Sequence, residues 1–265
     1  MQEQGYLAPY VELEAQRVKA DGIVTAPISV ASEIPYTIII NEQELATMLC
    51  TPDHLEELAY GFLYTSGIIN DREDITSFAL DRQQWIGYVT LQHMPDFALL
   101  SKRIYTSGCG KGVMYSSYME LASRRPINTA ARFTKGDIQS GMHFLLQCSE
   151  LYKRTGSIHT VALGISGELP HRVYDDIGRH NALDKVIGKA LLNVENFSES
   201  ILFCTGRISS EMLHKAKRCN IPVIVSRGAP THQAVLRARS MGITLAGSVR
   251  VSGFILFSHP ERIDV

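Results

Sequence analysis

One cysteine lies in a setting that favours sulfur chemistry. Cys109 sits within residues 107–112, which also contain three glycines and Lys111. Glycine opens backbone conformations that other residues avoid. We predict a helix over residues 113–124, so that Lys111 and the helix N-terminus would both lower the pKa of the Cys109 thiol and favour the nucleophilic thiolate. A small buried side chain in a tight turn is an equally good interpretation of these residues.

The remaining cysteines occupy apolar strand or helix patterns and are predicted to be structural: Cys50, Cys148, Cys204 and Cys219. The five cysteines are scattered and contain no C-x-x-C pair. The sequence therefore supports neither a disulfide framework nor a four-thiolate zinc site, and we predict no metal ligands.

Three predicted strand-to-helix segments each contain glycine and arginine, and they span residues 176–181, 205–211 and 226–231. Their cationic candidates are Arg179, His180, Arg207 and Arg227. Free backbone N–H groups at a helix start and the planar guanidinium group both bind phosphate. Asp176 and Glu211 could accept hydrogen bonds from the N–H groups of a nucleotide base. The three segments together indicate a site for phosphate or pyrophosphate.

A fourth segment follows the last strand of the same predicted unit. We expect its six residues to emerge at the same crevice as the other three segments: Ser248, Val249, Arg250, Val251, Ser252 and Gly253. Arg250 is the strongest candidate because its planar fork can bind a phosphate bidentately. For Val249 and Val251 we prefer a simpler interpretation, a β-turn that joins two strands.

Residues 201–249 are predicted to hold these segments in place. Short apolar runs at residues 201–204, 223–225 and 243–246 are typical of strands buried on both faces, and helical segments separate them. This alternation indicates a parallel sheet in an α/β fold. Because the loops at the carboxyl ends of such strands line one crevice, the four segments should converge on one ligand.

The chain before this unit is predicted to form a smaller β+α arrangement. We predict an edge segment or first strand within residues 1–30, a hairpin over residues 36–50, and strands over residues 84–92 and 102–106. Between them, Thr51 at the N-cap should open a helix.

A polar connector near residue 125 marks the predicted domain boundary. We therefore predict an N-terminal β+α domain over residues 1–125 and a C-terminal α/β domain over residues 126–265. Within the second domain we predict one helix over residues 137–154, followed by a hairpin over residues 159–175.

The composition narrows the class of protein. The chain has 265 residues, of which 45% are hydrophobic, and a net charge of −1. This indicates a soluble globular protein without the basic field that non-specific nucleic-acid binding requires. The sequence contains no apolar run long enough to span a membrane and no apolar core of a signal peptide near its start. We therefore expect a cytoplasmic protein with no nucleic-acid or membrane partner.

Several motifs resemble, in order and at natural spacing, those of the FdhD family, the formate dehydrogenase accessory proteins that act as sulfur carriers. The motifs are Thr-Pro at 51–52 with Leu-Glu-Glu-Leu-Ala at 55–59, Thr-Ser-Gly-Cys-Gly at 106–110, Asp-Ile-Gly-Arg-His-Asn-Ala-Leu-Asp-Lys at 176–185, Gly-Arg-Ile-Ser-Ser-Glu-Met at 206–212, Ser-Arg-Gly-Ala-Pro-Thr at 226–231 and His-Pro-Glu-Arg-Ile at 259–263. The resemblance covers nearly the whole chain.

This resemblance implies a fold and a function. The C-terminal part would be a cytidine-deaminase-like three-layer α/β/α domain, although residues 159–161 lack the glutamate of the deaminase zinc motif, so zinc-dependent deamination is not supported. Cys109 would accept sulfur from a cysteine desulfurase as a persulfide. It would pass that sulfur to the bis(molybdopterin guanine dinucleotide) molybdenum cofactor before the cofactor enters formate dehydrogenase.

The same resemblance bears on individual residues and partners. Residues 248–253 match a family segment that binds the cofactor, and guanine nucleotides should bind as fragments of that cofactor. Many family members have a second cysteine where this chain has Gly112, so this chain has no thiol at that position for a relay. A homodimer is possible.

Two other classes of function remain open from the residues alone. A cysteine hydrolase or acyltransferase would use Cys109 with His159 or His180 as the base. A non-catalytic nucleotide- or cofactor-binding chaperone would not need Cys109 at all.

Overall fold

The computed structural model describes residues 7–93, 125–165 and 168–265, together with the backbone of residues 103–105 and 113–115. Cys109, Lys111 and Gly112 lie outside these residues. The α-helices of the described residues are α1 Leu55–Thr65, α2 Lys135–Cys148, α3 Glu150–Thr155, α4 Arg179–Leu192, α5 Ser210–Arg218 and α6 His232–Met241. The strands are β1 Tyr10–Lys19, β2 Gly22–Ala31, β3 Ile34–Ile40, β4 Gln43–Cys50, β5 Ile75–Asp81, β6 Ile86–Leu91, β7 Arg103–Tyr105, β8 Val113–Tyr115, β9 Phe133–Thr134, β10 His159–Ile165, β11 Tyr174–Asp176, β12 Ser200–Cys204, β13 Val223–Ser226, β14 Thr244–Arg250, β15 Gly253–Ser258 and β16 Ile263–Asp264.

A four-stranded sheet in the order β4-β3-β6-β5 forms the first layer of the molecule. Buried and less buried residues alternate along β3, as expected for a strand with one face on a core. Ile38 of this strand shares an apolar core with Leu58 and Phe62 of α1. The predicted hairpin over residues 36–50 is confirmed by the antiparallel pairing of β3 with β4.

The predicted start of α1 is wrong. The helix begins at Leu55 after His54, whose φ of 53° is left-handed, and no side chain caps it. Thr51 is fully buried and its backbone N–H donates to the Asp176 carboxylate instead. Thr51 therefore binds Asp176, which is distant in the sequence, and does not cap α1 as the sequence indicated.

The C-terminal part contains a six-stranded sheet in the order β11-β10-β12-β13-β14-β15. β12, β13 and β14 pair in parallel, which confirms the parallel unit predicted from the apolar runs. Side chains of α4, α5 and α6 pack into a core on one face of this sheet, and those of α2 pack into a core on the other. The α/β class is thereby confirmed; the likeness to cytidine deaminases stays a prediction.

Helices α1 and α4 hold the two sheets together by an unusually close crossing. A Cβ atom on Gly61 would overlap the carbonyl group of Asp184, and one on Gly188 would overlap the carbonyl group of Glu57. Only glycine allows the two backbones to approach so closely. The domain boundary near residue 125 stays a prediction.

Three further elements differ from the sequence-based expectations. Residues 10–31 form a long antiparallel hairpin, β1–β2, in place of an edge segment or single strand. The predicted helix over residues 137–154 is two helices, because the backbone of Ser149 is extended and its side chain accepts the Tyr152 N–H as an N-cap. Residues 113–115 are a strand paired with β7, so no helix starts there and the helix-dipole argument for Cys109 does not hold.

Candidate functional site

Four loops meet at one edge of the six-stranded sheet. Strands β12, β13 and β14 are parallel, and β11 runs the same way because both β11 and β12 are antiparallel to β10. The carboxyl ends of these four strands, and the first residue of β10, His159, therefore share one edge. The structure places all four candidate segments at this position, which we call the strand edge.

Two glycines let the loops after β12 and β13 pack backbone against backbone. A Cβ atom on Gly228 would lie 3.0 Å from the carbonyl carbon of Gly206. The Ser226 hydroxyl donates to the Gly206 carbonyl oxygen at 2.6 Å, and the Thr231 N–H donates to the Ile208 carbonyl oxygen at 3.0 Å. The two loops thus form one rigid unit that carries Arg207 and Arg227.

The loop after β14 is tied to this unit by arginines. Arg227 donates from an Nη atom to the Val249 carbonyl oxygen at 2.8 Å, and Arg250 donates to the Arg227 carbonyl oxygen at 2.6 Å. A bulge in β14, where Ser248 has a left-handed φ of 54°, turns the chain toward its neighbour. Arg207 and Arg250 are exposed, so their charges face solvent at the strand edge.

The other residues of the segment 248–253 present few side-chain groups that could bind a ligand at the strand edge. The Val249 side chain is buried in the core, so only its backbone faces the edge. Val251 and Ser252 form an exposed turn, and Gly253 begins β15 with a φ of 143°. The preferred interpretation of Val249 and Val251 as parts of a turn between two strands agrees with this geometry.

Arg179, His180 and His159 lie at the strand edge near the loop that carries Arg207. The Arg179 side chain is largely buried, and a Cβ atom on Gly206 would lie 3.4 Å from its Cδ atom. His180 Nε2 is 2.9 Å from a Glu211 carboxylate oxygen. Burial lowers the pKa of His180 although Glu211 opposes the shift, and burial followed by the Arg179 charge lowers the pKa of His159. Both histidines are therefore harder to protonate than a free histidine, and the arginines supply the positive charge.

Two helix starts at the strand edge lack a side-chain cap. No side chain caps α4 at Gly178 or α5 at Ser209, whereas the Thr231 hydroxyl caps α6 by accepting the Ala234 N–H at 3.3 Å. Uncapped helix N-termini carry partial positive charge and favour anions. The arginines and the uncapped start of α5 therefore make the strand edge electropositive, whereas the Asp176 carboxylate already contacts the start of α4.

The role predicted for Asp176 is wrong. Its side chain is fully buried and accepts hydrogen bonds from Thr51, Gly178, Asn181 and Lys185. A carboxylate with these donors has no acceptor capacity left for a nucleotide base. Glu211 is already engaged by His180, and this contact lowers the pKa of its carboxyl group although burial alone would raise it.

Two buried lysines were not recognised as special from the sequence. Lys185 is fully buried and lies 2.8 Å from both Asp53 and Asp176; burial would lower its pKa, but these carboxylates outweigh it and raise the pKa. Lys215 lies 2.6 Å from Asp184, which also accepts a hydrogen bond from the Thr65 hydroxyl at 2.8 Å. The available signal was the pair of charged residues, 184 and 185, which interrupts the apolar stripe of α4. Both lysine networks join the two sheets.

No cluster that could hold a metal ion occurs among the described residues. The absence of zinc stays a prediction. None of the described helices is long and apolar enough to cross a membrane.

These features define the protein as an α/β protein that has arginines along the strand edge and a pair of helices, α1 and α4, between its two sheets. A model of the FdhD/NarQ family matches residues 31–264. The chain therefore belongs to the FdhD/NarQ family.

Individual relatives agree with this assignment. The chain is 36% identical to the sulfur carrier protein FdhD of Bacillus subtilis over 234 residues, which cover 88% of this chain and 89% of the relative. It is 36% identical to the protein of the same name from Staphylococcus haemolyticus, covering 93% and 94% of the two chains. The crystal structure of a predicted formate dehydrogenase accessory protein from Desulfotalea psychrophila superposes with a TM-score of 0.80 at 27% identity, covering 97% of this chain and 100% of that one.

Proposed function

We propose that this protein is a sulfur carrier for formate dehydrogenase maturation. It takes sulfur from a cysteine desulfurase on Cys109 and delivers it to the bis(molybdopterin guanine dinucleotide) molybdenum cofactor, which is its substrate. The family and the names of its relatives support the sulfur-carrier role. The observation that carries the choice of acceptor is the strand edge, because its arginines suit the pyrophosphate groups of a dinucleotide cofactor.

The loading step needs only a thiolate and a donor persulfide. The Cys109 thiolate attacks the outer sulfur of the desulfurase persulfide, a sulfur–sulfur bond forms on Cys109, and the desulfurase cysteine leaves as a thiolate. One sulfur–sulfur bond is broken and one is made, so no external oxidant or reductant enters. Cys109 lies in the chain between β7 and β8, and its flanking glycines suit a residue that must reach two different partners.

The acceptor is held by its nucleotide ends. Pyrophosphate binding is supported by the uncapped start of α5 and by the guanidinium groups of Arg207, Arg227 and Arg250, which can make charge-assisted hydrogen bonds. Exposure of Arg207 and Arg250 leaves the strand edge open to a large ligand. Guanosine diphosphate should therefore bind there as a fragment of the cofactor.

Delivery reverses the bond change at Cys109. The outer sulfur leaves the persulfide and becomes a sulfido ligand of molybdenum, while Cys109 returns to the thiolate. Reduction of that sulfur to sulfide takes two electrons, which a Mo(IV) centre supplies when it becomes Mo(VI). No second cysteine of this chain is needed for this step, which fits Gly112 at the position of the second family cysteine.

Mass spectrometry after treatment with a cysteine desulfurase and cysteine tests the proposal. We expect the peptide containing Cys109 to gain the mass of one sulfur atom and Cys109→Ala to gain none. A variant with Cys50, Cys148, Cys204 and Cys219 replaced by alanine should load like the wild type. Persulfide on any of these four instead of Cys109, or turnover of acyl esters that depends on Cys109, would contradict the carrier role and favour the alternative classes.

A further inference from the structure

We infer that Thr51 and Asp176 form a positioning pair that fixes the segment carrying Arg179 and His180. Thr51 belongs to the first sheet's side of the molecule, whereas that segment begins α4 at the strand edge. The inference rests on the proposed nucleotide site for its functional meaning, and it assigns to that site two positioning residues outside the arginines.

The two oxygens of Asp176 face different partners. Oδ2 accepts the backbone N–H of Thr51 at 3.1 Å and lies 2.8 Å from Lys185 Nζ. Oδ1 accepts the Gly178 N–H at 2.8 Å and the Asn181 side-chain N–H at 3.0 Å. One fully buried carboxylate therefore connects the first sheet with the first turn of α4.

The two hydrogen bonds accepted by Asp176 Oδ1 lie on either side of Arg179 and His180 in the sequence. Gly178 is the N-cap residue of α4, and no side chain caps that helix by the usual bond. Asn181 is fixed a second time, because its side-chain N–H also donates to the Leu49 carbonyl oxygen at 2.8 Å. Arg179 and His180 lie between these two anchored residues, so Asp176 fixes the backbone from which both side chains project.

Thr51 holds the other end of Asp176. Its hydroxyl lies 3.1 Å from Asp176 Oδ2 and 2.6 Å from Asp53 Oδ1, and it accepts a hydrogen bond from Lys185 Nζ at 2.6 Å. Without this hydroxyl, Lys185 would still contact Asp53 and Asp176 at 2.8 Å. Thr51→Val removes the hydroxyl contact to Asp176 and keeps the backbone N–H bond, so Asp176 is held by one donor fewer and no buried charge is left unpaired.

Thr65 provides a matched control. Its buried hydroxyl donates to Asp184 Oδ1 at 2.8 Å and accepts from Lys215 Nζ at 2.9 Å, so it joins α1 to α4 and α5. The chemistry removed by Thr65→Val is the same as in Thr51→Val. The Asp184 carboxylate binds Thr65 and Lys215, whereas the Asp176 carboxylate binds Gly178 and Asn181.

Two measurements on the full-length protein test the inference. Titration calorimetry with guanosine diphosphate should show binding weakened roughly two- to tenfold in Thr51→Val, near-normal in Thr51→Ser and unchanged in Thr65→Val. Hydrogen exchange should be faster at the Gly178 N–H in Thr51→Val alone, because that N–H is bonded to Asp176. If Thr51→Val does not fold, Asn181→Ala replaces it with the same expectation.

The outcomes separate this inference from the proposed function. Normal affinity together with normal Gly178 protection in Thr51→Val overturns the positioning role. An equal loss of affinity in Thr65→Val shows general loosening of the interface and overturns it as well. If the wild type does not bind guanosine diphosphate, the proposed nucleotide site fails, and Gly178 exchange alone decides whether Thr51 positions the segment.

Discussion

The buried interface between the two sheets and the strand edge are both rich in charge, but they use it differently. At the interface, Lys185 and Lys215 are buried and each contacts carboxylates at ion-pair distance. At the strand edge, Arg207 and Arg250 are exposed, and no ion pair to either is found within the described residues. The comparison indicates that buried lysine–carboxylate pairs stabilise the contact between the two sheets, whereas the exposed arginines have no such ion-pair partner among the described residues.

The largest expected effect tests the interface. Lys215→Ala would leave Asp184 buried beside Thr65 without its cation, so we expect the free energy of unfolding to fall by about 3–5 kcal/mol. Urea unfolding measures this loss. Lys153→Ala, which removes an exposed partner of Glu150, should lower the free energy of unfolding far less, because solvent screens that pair. Equal losses in the two variants would remove the distinction between paired buried charges and surface charges.

The next effect tests the strand edge. Arg207→Ala and Arg227→Ala should each weaken guanosine diphosphate binding by about 1–3 kcal/mol if the side chain bonds the pyrophosphate. Arg207→Ala should leave the unfolding free energy nearly unchanged, because the side chain is exposed. Arg132→Ala, another exposed arginine, is the control for net charge in the same calorimetric titrations. Unchanged affinity in both edge variants would place the site elsewhere.

A smaller effect distinguishes charge from geometry at Arg250. Arg250→Lys keeps the charge but loses the planar fork, so its affinity for guanosine diphosphate should lie between those of the wild type and Arg250→Ala. Persulfide loading of Cys109 should stay normal in both variants, because the donor does not need the pyrophosphate site. A loading defect with normal nucleotide affinity would instead assign this turn to the desulfurase interface.

The smallest effect is a pH dependence at His159. Burial and the Arg179 charge lower its pKa in the free protein, while Asp176 opposes the shift. A bound phosphate would raise that pKa, so binding should take up protons and affinity should rise, by less than roughly tenfold, as the pH falls from about 8 to about 6. Calorimetry with His159→Gln gives the pH dependence that remains without His159. Identical pH profiles for the two proteins would remove His159 from the site.

The strand edge could be predicted from the sequence because local patterns encode it. Strands β12 and β13 are buried on both faces and therefore appear as continuous apolar runs. Once these strands are parallel, the topology alone brings the loops with Arg207 and Arg227 to one edge. The spacing of glycine and arginine before each helix completed the prediction.

The buried interface between the two sheets could not be predicted, because the residues that bind each other across it are distant in the sequence. Thr51 and Asp176 are 125 residues apart, so the local pattern suggested a helix cap for one and a nucleotide contact for the other. Lys215 and Asp184 are separated by 31 residues and look like solvated helix charges when viewed locally. Local propensity also misjudged residues 113–115, where pairing with β7 takes precedence over helix formation.

The most direct test of the account follows labelled sulfur from Cys109 to the cofactor. The protein is loaded by a desulfurase with radiolabelled sulfur, separated from the donor and mixed with the bis(molybdopterin guanine dinucleotide) molybdenum cofactor in its Mo(IV) state. We predict that the label moves to the cofactor from the wild type, that Arg207→Ala loads normally but delivers more slowly, and that Cys109→Ala neither loads nor delivers. Label that stays on the wild-type protein, or delivery by Arg207→Ala at the wild-type rate, would contradict a carrier that binds its acceptor at the strand edge.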